Sequence, residues 1–395
     1  MTDNAIVTQL VADARALVPL IKERQAETAK LGKLPEETIA AMQQSGFFRI
    51  MQPKRFGGFE LNPHVFFEVQ QILAEGCMST AWVLGVVAIH NWQLGMFADQ
   101  AQRDVWAEDS SVLISSSYMP VGKVESVGGG YMLSGHWGFS SGSKHCKWAF
   151  LGGMVPPKEE GGAPDYRTFL VPISDYEIVD NWDVSGLEGT GSNDIVIKDP
   201  VFVPEHRTHR SYDGFSGQNP GCVENTNPIF TLPFGQIFTR AVACSSIGAL
   251  QGVIENYVTV NKDRVGVNDG NRVAHDPNVQ MAIAEAVATV SECRAILKED
   301  LDFFSENPQS GDMELDINER IRRRFNASLI SSKCTDAVNK LFIACGAQGI
   351  FRGHPLNRAW LDVNAGRTHV ANNPFKFGRN LGGTLMGQPN TDFFL

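Results

Sequence analysis

The sequence has no CxxC pair, no Walker-type glycine loop, no GxSxG elbow and no helix-opening GxGxxG, and each absence removes a class of function. Seven cysteines (Cys77, Cys146, Cys222, Cys244, Cys293, Cys334 and Cys345) are scattered and odd in number, so neither a disulfide framework nor a zinc ribbon is expected. Free thiols suit a reducing cytoplasm. The one glycine-rich run, "GLEGTG" at 186–191, lies between strand-like segments, which argues against a Rossmann nicotinamide site. Without GxSxG an α/β-hydrolase is excluded. "HRTH" places His206 and His209 at HxxH spacing in a loop without a third ligand, so no metal centre is expected. Positive charge is also short: 34 Lys and Arg against 44 Asp and Glu leave a net charge of −10. Nucleic acid and anionic membranes are therefore poor partners. The one basic cluster, "RIRRRF" around Arg322 to Arg324, reads as a solvated helix face.

The N-terminus shows no signal-peptide pattern. One apolar run, "STAWVLGVVAIHNWQLGMF" (79–97), contains His90, Asn91 and Gln93 and lacks flanking Lys or Arg, so it reads as a buried core helix and not a span.

What is present is an ordinary globular composition, 43% hydrophobic and 20% charged over 395 residues. Apolar residues recur at helical spacing through about Trp106. Short β-type runs separated by glycines follow from about Val112, and long helical periods return after about residue 230. The expectation is an α+β protein: an N-terminal all-helical domain (1–111), a middle β domain (112–215) forming a small barrel or two packed sheets, and a C-terminal helical bundle (216–395). The polar Gly/Pro-rich loop 210–230 reads either as a lid or as a surface excursion.

Four features carry possible chemistry. His369 stands alone in "NAGRTHVANNP", with an imidazole that titrates near neutral pH and no metal-ligand spacing around it. His90 lies in the apolar helix, and "ISSSYMP" and "GFSSG" are serine runs beside predicted strands. Taken singly, these are a satisfied core histidine, strand ends and a turn.

In order along the chain they mean more. "QPKRFGGFEL" (52–61), "GLEGTGSNDIVIKDPVFVP" (186–204) and "GAQGIFRGHPLNRAWLD" (346–362) resemble signature stretches of the acyl-CoA dehydrogenase fold. "STAW", "AIHNWQLGMF", "ISSSYMP", "GFSSG" and "AGRTHVANN" are similar to its flavin-dependent monooxygenase branch (group D). That branch includes the oxygenase components of p-hydroxyphenylacetate hydroxylase and of a seco-steroid phenol hydroxylase. A dehydrogenase of this fold uses a glutamate shortly after the motif matching "RAWLD", or early in the helix matching "GQIFTRAV". Here no acid follows Asp362 before Asp392, and "GQIFTRAV" has none.

The resemblance therefore implies the oxygenase component of a two-component system. Reduced FMN or FAD would come from a separate NAD(P)H-dependent flavin reductase. With O2 as cosubstrate, a flavin C4a-hydroperoxide would hydroxylate a small aromatic substrate, a phenol at its ortho position. The alternatives are an indole or sulfur-heterocycle oxygenase of the same branch and an acyl-CoA dehydrogenase. By resemblance, Ser141 lies at flavin N5, Phe139, Ser140 and Ser141 line the isoalloxazine, and Trp82 and Ser116 contact flavin or substrate. Tyr118 borders the substrate, His90 holds its phenol oxygen, and His369 is the expected base, ahead of His90. Arg264 matches an arginine near the flavin phosphate, and Gly346 and Ala347 approach the flavin of a neighbouring subunit in a homotetramer. The implied catalytic set is His90, Ser116, Ser141 and His369, with no metal.

Overall fold

The computed structural model describes residues 2–157, 165–266, 270–308, 315–392 and 394–395. Helices come first: α1 (Asp3–Glu23), α2 (Gln25–Leu31), α3 (Glu36–Gln44), α4 (Pro63–Gly76), α5 (Met78–Leu94) and α6 (Asp99–Trp106). Their ends follow local chemistry. α4 opens with Pro63 in its first turn while the Asn62 side chain accepts the His64 N–H, which satisfies one otherwise unpaired donor. Every residue of α5 is buried, as its all-round apolar sequence requires.

The strands are β1 (Ile114–Val127), β2 (Gly130–Ser140), β3 (Trp148–Val155), β4 (Asp165–Pro172), β5 (Glu177–Val179), β6 (Asn193–Pro204) and β7 (Thr208–Arg210). They form one sheet in the order β5-β6-β2-β1-β3-β4-β7. β1 belongs to both halves. Residues 114–117 pair in parallel with β3, the register shifts before Gly122, and residues 123–127 pair antiparallel with β2. The two halves pack against each other around Leu133, Trp137, Leu151, Phe169 and Ile195, and Trp137 Nε1 donates across the core to Gly152 O at 2.8 Å.

The chain returns to helices with α7 (Ser211–Ser216), α8 (Phe234–Ala241), α9 (Ser245–Asn261), α10 (Pro277–Glu306), α11 (Ile317–Cys345), α12 (Pro355–Arg367) and α13 (Pro374–Leu385). Two helical stretches, Asp3–Glu23 and Phe234–Asn261, are long and apolar enough to cross a membrane, but the second is 94% buried inside the protein.

Two sequence expectations need correction here. The basic cluster is not a solvated face: Arg323 and Arg324 are buried, and only Arg322 of the three reaches solvent. Arg240 and Arg323 share the buried Asp300 carboxylate at 2.7 and 2.9 Å, and Arg324 lies 3.8 Å from buried Asp392. Buried guanidinium groups are tolerated because each has a counter-charge from another element. Nor is 210–230 a free lid. Asn219 donates to Phe230 O, Asn225 donates to Gly95 O, and Trp92 donates to Ile229 O, so the segment is stitched to α5 and its end.

Candidate active site

The turn after β2 sets up the first part of the site. Phe139 has φ 64°, a left-handed conformation that costs a side-chain-bearing residue roughly 1–2 kcal/mol. It turns the strand so that the Phe139 ring stands 71% exposed while Ser140 is 0% exposed. The Ser140 Oγ is buried without a hydrogen-bond partner among the described residues. The Phe139 ring meets Trp182 edge-on at 6.1 Å. Ser141 comes next and joins a chain of hydroxyls. Trp82 Nε1 donates to Ser141 Oγ at 3.2 Å, Ser141 Oγ lies 2.7 Å from Ser192 Oγ, and Ser192 Oγ lies 2.7 Å from Thr190 Oγ1. Thr190 Oγ1 donates to Leu187 O at 2.8 Å. Thr190 and Ser192 are members of the "GLEGTGSND" stretch, whose turn is docked by Leu187 N–H donating to Asp362 Oδ1 at 2.7 Å. Burial pushes the Asp362 carboxyl up to about 6.

A second group surrounds His90. Its Nδ1 lies 2.6 Å from Ile114 O, so Nδ1 carries the proton, and the buried Nε2 has no hydrogen-bond partner. Burial lowers its pKa to about 4, against the raising effect of the Ile114 carbonyl. Residues 114, 116 and 118 of β1 share a face by strand alternation, which brings Ser116 and Tyr118 to the His90 side. The Tyr118 ring is 6.0 Å from His90 and packs edge-on against Phe234 and Phe238 at 5.5 and 4.9 Å. Its hydroxyl donates to Gln93 Oε1, and burial raises its pKa well above the ordinary phenol value. Tyr118 is thus a neutral hydroxyl at working pH.

His369 stands beside the first group. Its ring meets Trp82 edge-on at 5.7 Å. The Ala371 N–H donates to His369 Nδ1 at 3.1 Å, so in the neutral ring the proton sits on Nε2. Arg324 Nη2 donates to Ala371 O at 3.0 Å, and desolvation followed by the Arg324 charge lowers the His369 pKa to about 4. The two histidines are opposite tautomers: His90 offers a lone pair at Nε2, whereas His369 offers a proton there.

Arg264, Gly346 and Ala347 form a separate group. Arg264 Nη1 donates to Cys345 O at 2.9 Å, beside Gly346 at φ 71°. No hydrogen bond or ring contact among the described residues links them to Trp82, Ser141 or His369. Their surroundings are apolar and open, with Ile343 77%, Ile350 66% and Phe351 63% exposed. His206 and His209 turn to different partners, Asp104 and Asn219. Sequence reading passed over Thr190, Ser192, Gln93, Trp182 and Arg324. The first two stood inside a quoted motif, where only their approach to Ser141 reveals them.

The first and second groups suit a flat, partly apolar cofactor beside an aromatic ligand. An aromatic ring is held out to solvent at a strained position, a hydroxyl adjoins it, and a buried imidazole lone pair lacks a partner. Comparison with known proteins places the chain in a family. Residues 9–110 match the family described as acyl-CoA dehydrogenase, N-terminal domain, and residues 241–374 match its C-terminal domain. The oxygenase subunit HsaA of a flavin-dependent monooxygenase from Rhodococcus jostii is 37% identical over 95% of this chain and 98% of its own. The oxygenase component of an FADH2-dependent resorcinol hydroxylase from a Rhizobium species is 33% identical over 96% of this chain and 94% of its own. The crystal structure of a 3-HSA hydroxylase from Rhodococcus sp. RHA1 superposes with a TM-score of 0.91 at 35% identity, covering 98% of this chain and 99% of the other. The chain belongs to the acyl-CoA dehydrogenase family, in its branch of flavin-dependent monooxygenase oxygenase components.

Proposed function

We propose that this oxygenase component hydroxylates a phenol ortho to its hydroxyl, using reduced FMN or FAD delivered by a separate flavin reductase, with O2 as cosubstrate. The observation that carries the reading is the buried, unpartnered Nε2 of His90 beside Ser116 and Tyr118. A phenol O–H supplies the hydrogen bond that this atom lacks. Bound reduced flavin supplies the electrons and activates O2. Phe139 and Trp82 would flank it, Ser141 would meet its N5 edge, and Arg264, Gly346 and Ala347 would reach the flavin of a neighbouring copy in a homotetramer. The net charge of −10 supports an enzyme without nucleic-acid partners, and seven free thiols support a reducing, cytoplasmic setting.

The hydrogen bonds of the two rings support the opposite ranking of the histidines, with His90 as the base. His369 has its only lone pair engaged by the Ala371 N–H, so it acts as a donor toward negative charge developing on oxygen. His90 is the acceptor. A base titrating near 4 does not ionise a ground-state phenol of pKa about 10. It takes the proton as the new C–O bond forms, because the ring oxygen then becomes strongly acidic. The buried Tyr118 hydroxyl and aliphatic-aromatic walls keep bulk water from competing. No carboxylate among the described residues joins this group, and Asp362 is engaged by Leu187 N–H. That weighs against thioester dehydrogenation.

The test is to supply the chain with a flavin reductase, NADH, free flavin and 18O2, and to screen phenols and indoles by mass spectrometry. A phenol gaining one labelled oxygen is expected, and the chain alone should not oxidise NADH. Turnover of indoles or sulfur heterocycles without phenols would move the reading to the alternative substrate class.

A further inference from the structure

The hydroxyl chain leading away from Ser141 has only one consistent arrangement of its protons. A carbonyl only accepts, so the Thr190 hydroxyl gives its single proton to Leu187 O at 2.8 Å. Thr190 Oγ1 can then face Ser192 Oγ at 2.7 Å only as an acceptor, which commits the Ser192 proton to Thr190. The same argument moves one step outward: Ser192 Oγ faces Ser141 Oγ at 2.7 Å as an acceptor, so the Ser141 proton is given to Ser192. Any other arrangement sets two lone pairs against each other at one of these contacts. Trp82 Nε1–H donates into Ser141 Oγ at 3.2 Å and takes one of its lone pairs. Ser141 is left with one lone pair and no proton to offer. The relay is buried, so water does not rescue a reversed orientation.

We propose that the Thr190–Ser192 relay fixes Ser141 as an obligate acceptor, and that this makes the site select reduced over oxidised flavin. The inference rests on the reading that Ser141 meets flavin N5. Reduced flavin carries a hydrogen on N5, which satisfies the free lone pair. Oxidised flavin presents a bare N5 lone pair, which is repelled by the same oxygen. An unrestrained serine hydroxyl would rotate and donate to oxidised N5, cancelling the discrimination. Thr190 and Ser192 touch no reacting atom in this scheme; they are positioning residues. The result matters for a component that receives its flavin by diffusion, since oxidised flavin in the same solution competes for the site.

The test compares dissociation constants of reduced and oxidised FMN and FAD, by anaerobic titration, in wild type and in Thr190→Val, Ser192→Ala, Ser192→Thr and Ser141→Ala. Wild type should prefer reduced flavin. Ser192→Ala and Thr190→Val should lower the reduced-to-oxidised preference by about tenfold, mainly by tightening oxidised flavin, and Ser192→Thr should restore it. The relay is overturned if Ser141→Ala collapses the preference while Ser192→Ala and Thr190→Val leave it intact. If Ser141→Ala itself leaves the preference unchanged, the N5 reading fails instead. Thermal unfolding of each variant separates these outcomes from loss of fold, and Thr190→Val carries the test where Ser192→Ala is unstable.

Discussion

Trp82, Ser141, Ser192 and His369 are held by several mutual contacts within one chain, whereas Arg264 donates to Cys345 O beside Gly346 and Ala347, and these stand amid exposed apolar side chains. The first region is preorganised by the fold itself: its partners come from α5, β2, the loop before β6 and the turn after α12. The second leaves Ile343, Ile350 and Phe351 exposed. On the function proposed above, the chemistry would sit on the part of the molecule that one copy makes rigid, and the cofactor's outer contacts would await a neighbouring copy.

The sharpest way to break this contrast is at His90. His90→Ala should slow hydroxylation by about 10²–10⁴-fold and divert consumed NADH to hydrogen peroxide, with flavin affinity little changed. Product-to-peroxide ratios and flavin titration read both, and a variant within a few-fold of wild type would return the base role to His369. The second region should respond in the opposite manner. Ile350→Asp with Phe351→Asp should shift sedimentation to smaller species and weaken flavin binding by about 10-fold or more, while each copy keeps its fold by circular dichroism. Unchanged flavin affinity in a dissociated variant would show that one copy suffices.

A finer probe concerns the charge beside His369. Arg324→Met, paired with Asp392→Leu to avoid a lone buried carboxylate, should raise the His369 pKa from about 4 by roughly one unit. Histidine-labelled NMR would detect this, and an unchanged value would leave desolvation as the sole cause. The smallest effect is on stability. His90, His209 and His369 titrate near 4 in the folded chain against an ordinary 6.5. The unfolded chain therefore binds more protons between those values, and stability is lost as pH falls from 6.5 towards 4. Asp362, raised to about 6 from 3.8, opposes this. Melting temperature should drop across that window, and His209→Gln should make the drop shallower.

Much of this architecture was legible in the sequence because α5 and the glycine-punctuated strands have unmistakable patterns. The arginines were misread because their counter-charges, Asp300 and Asp392, lie on other elements, so local spacing showed charge without its neutralisation. Ser140 and Ser141 are adjacent and chemically identical, and only the fold shows that Ser141 joins the hydroxyl chain while the Ser140 Oγ stays unpartnered. The relay was hidden for a similar reason: Ser192 is 51 positions from Ser141. The His369 tautomer was closer to hand, since its partner is a main-chain N–H two residues on, but a donor that every turn possesses leaves no signature in the letters.

The strand β1 has a consequence for how the protein opens. Its first residues, which face His90, pair with β3, and its last residues pair with β2, the strand that ends at the Phe139 turn. Fraying either half of the sheet strips one edge from the strand they share, so local openings on the two sides should merge into one cooperative unit. Amide hydrogens of residues 114–117 and 131–137 should then exchange with the same free energy, although they serve different ends of the site.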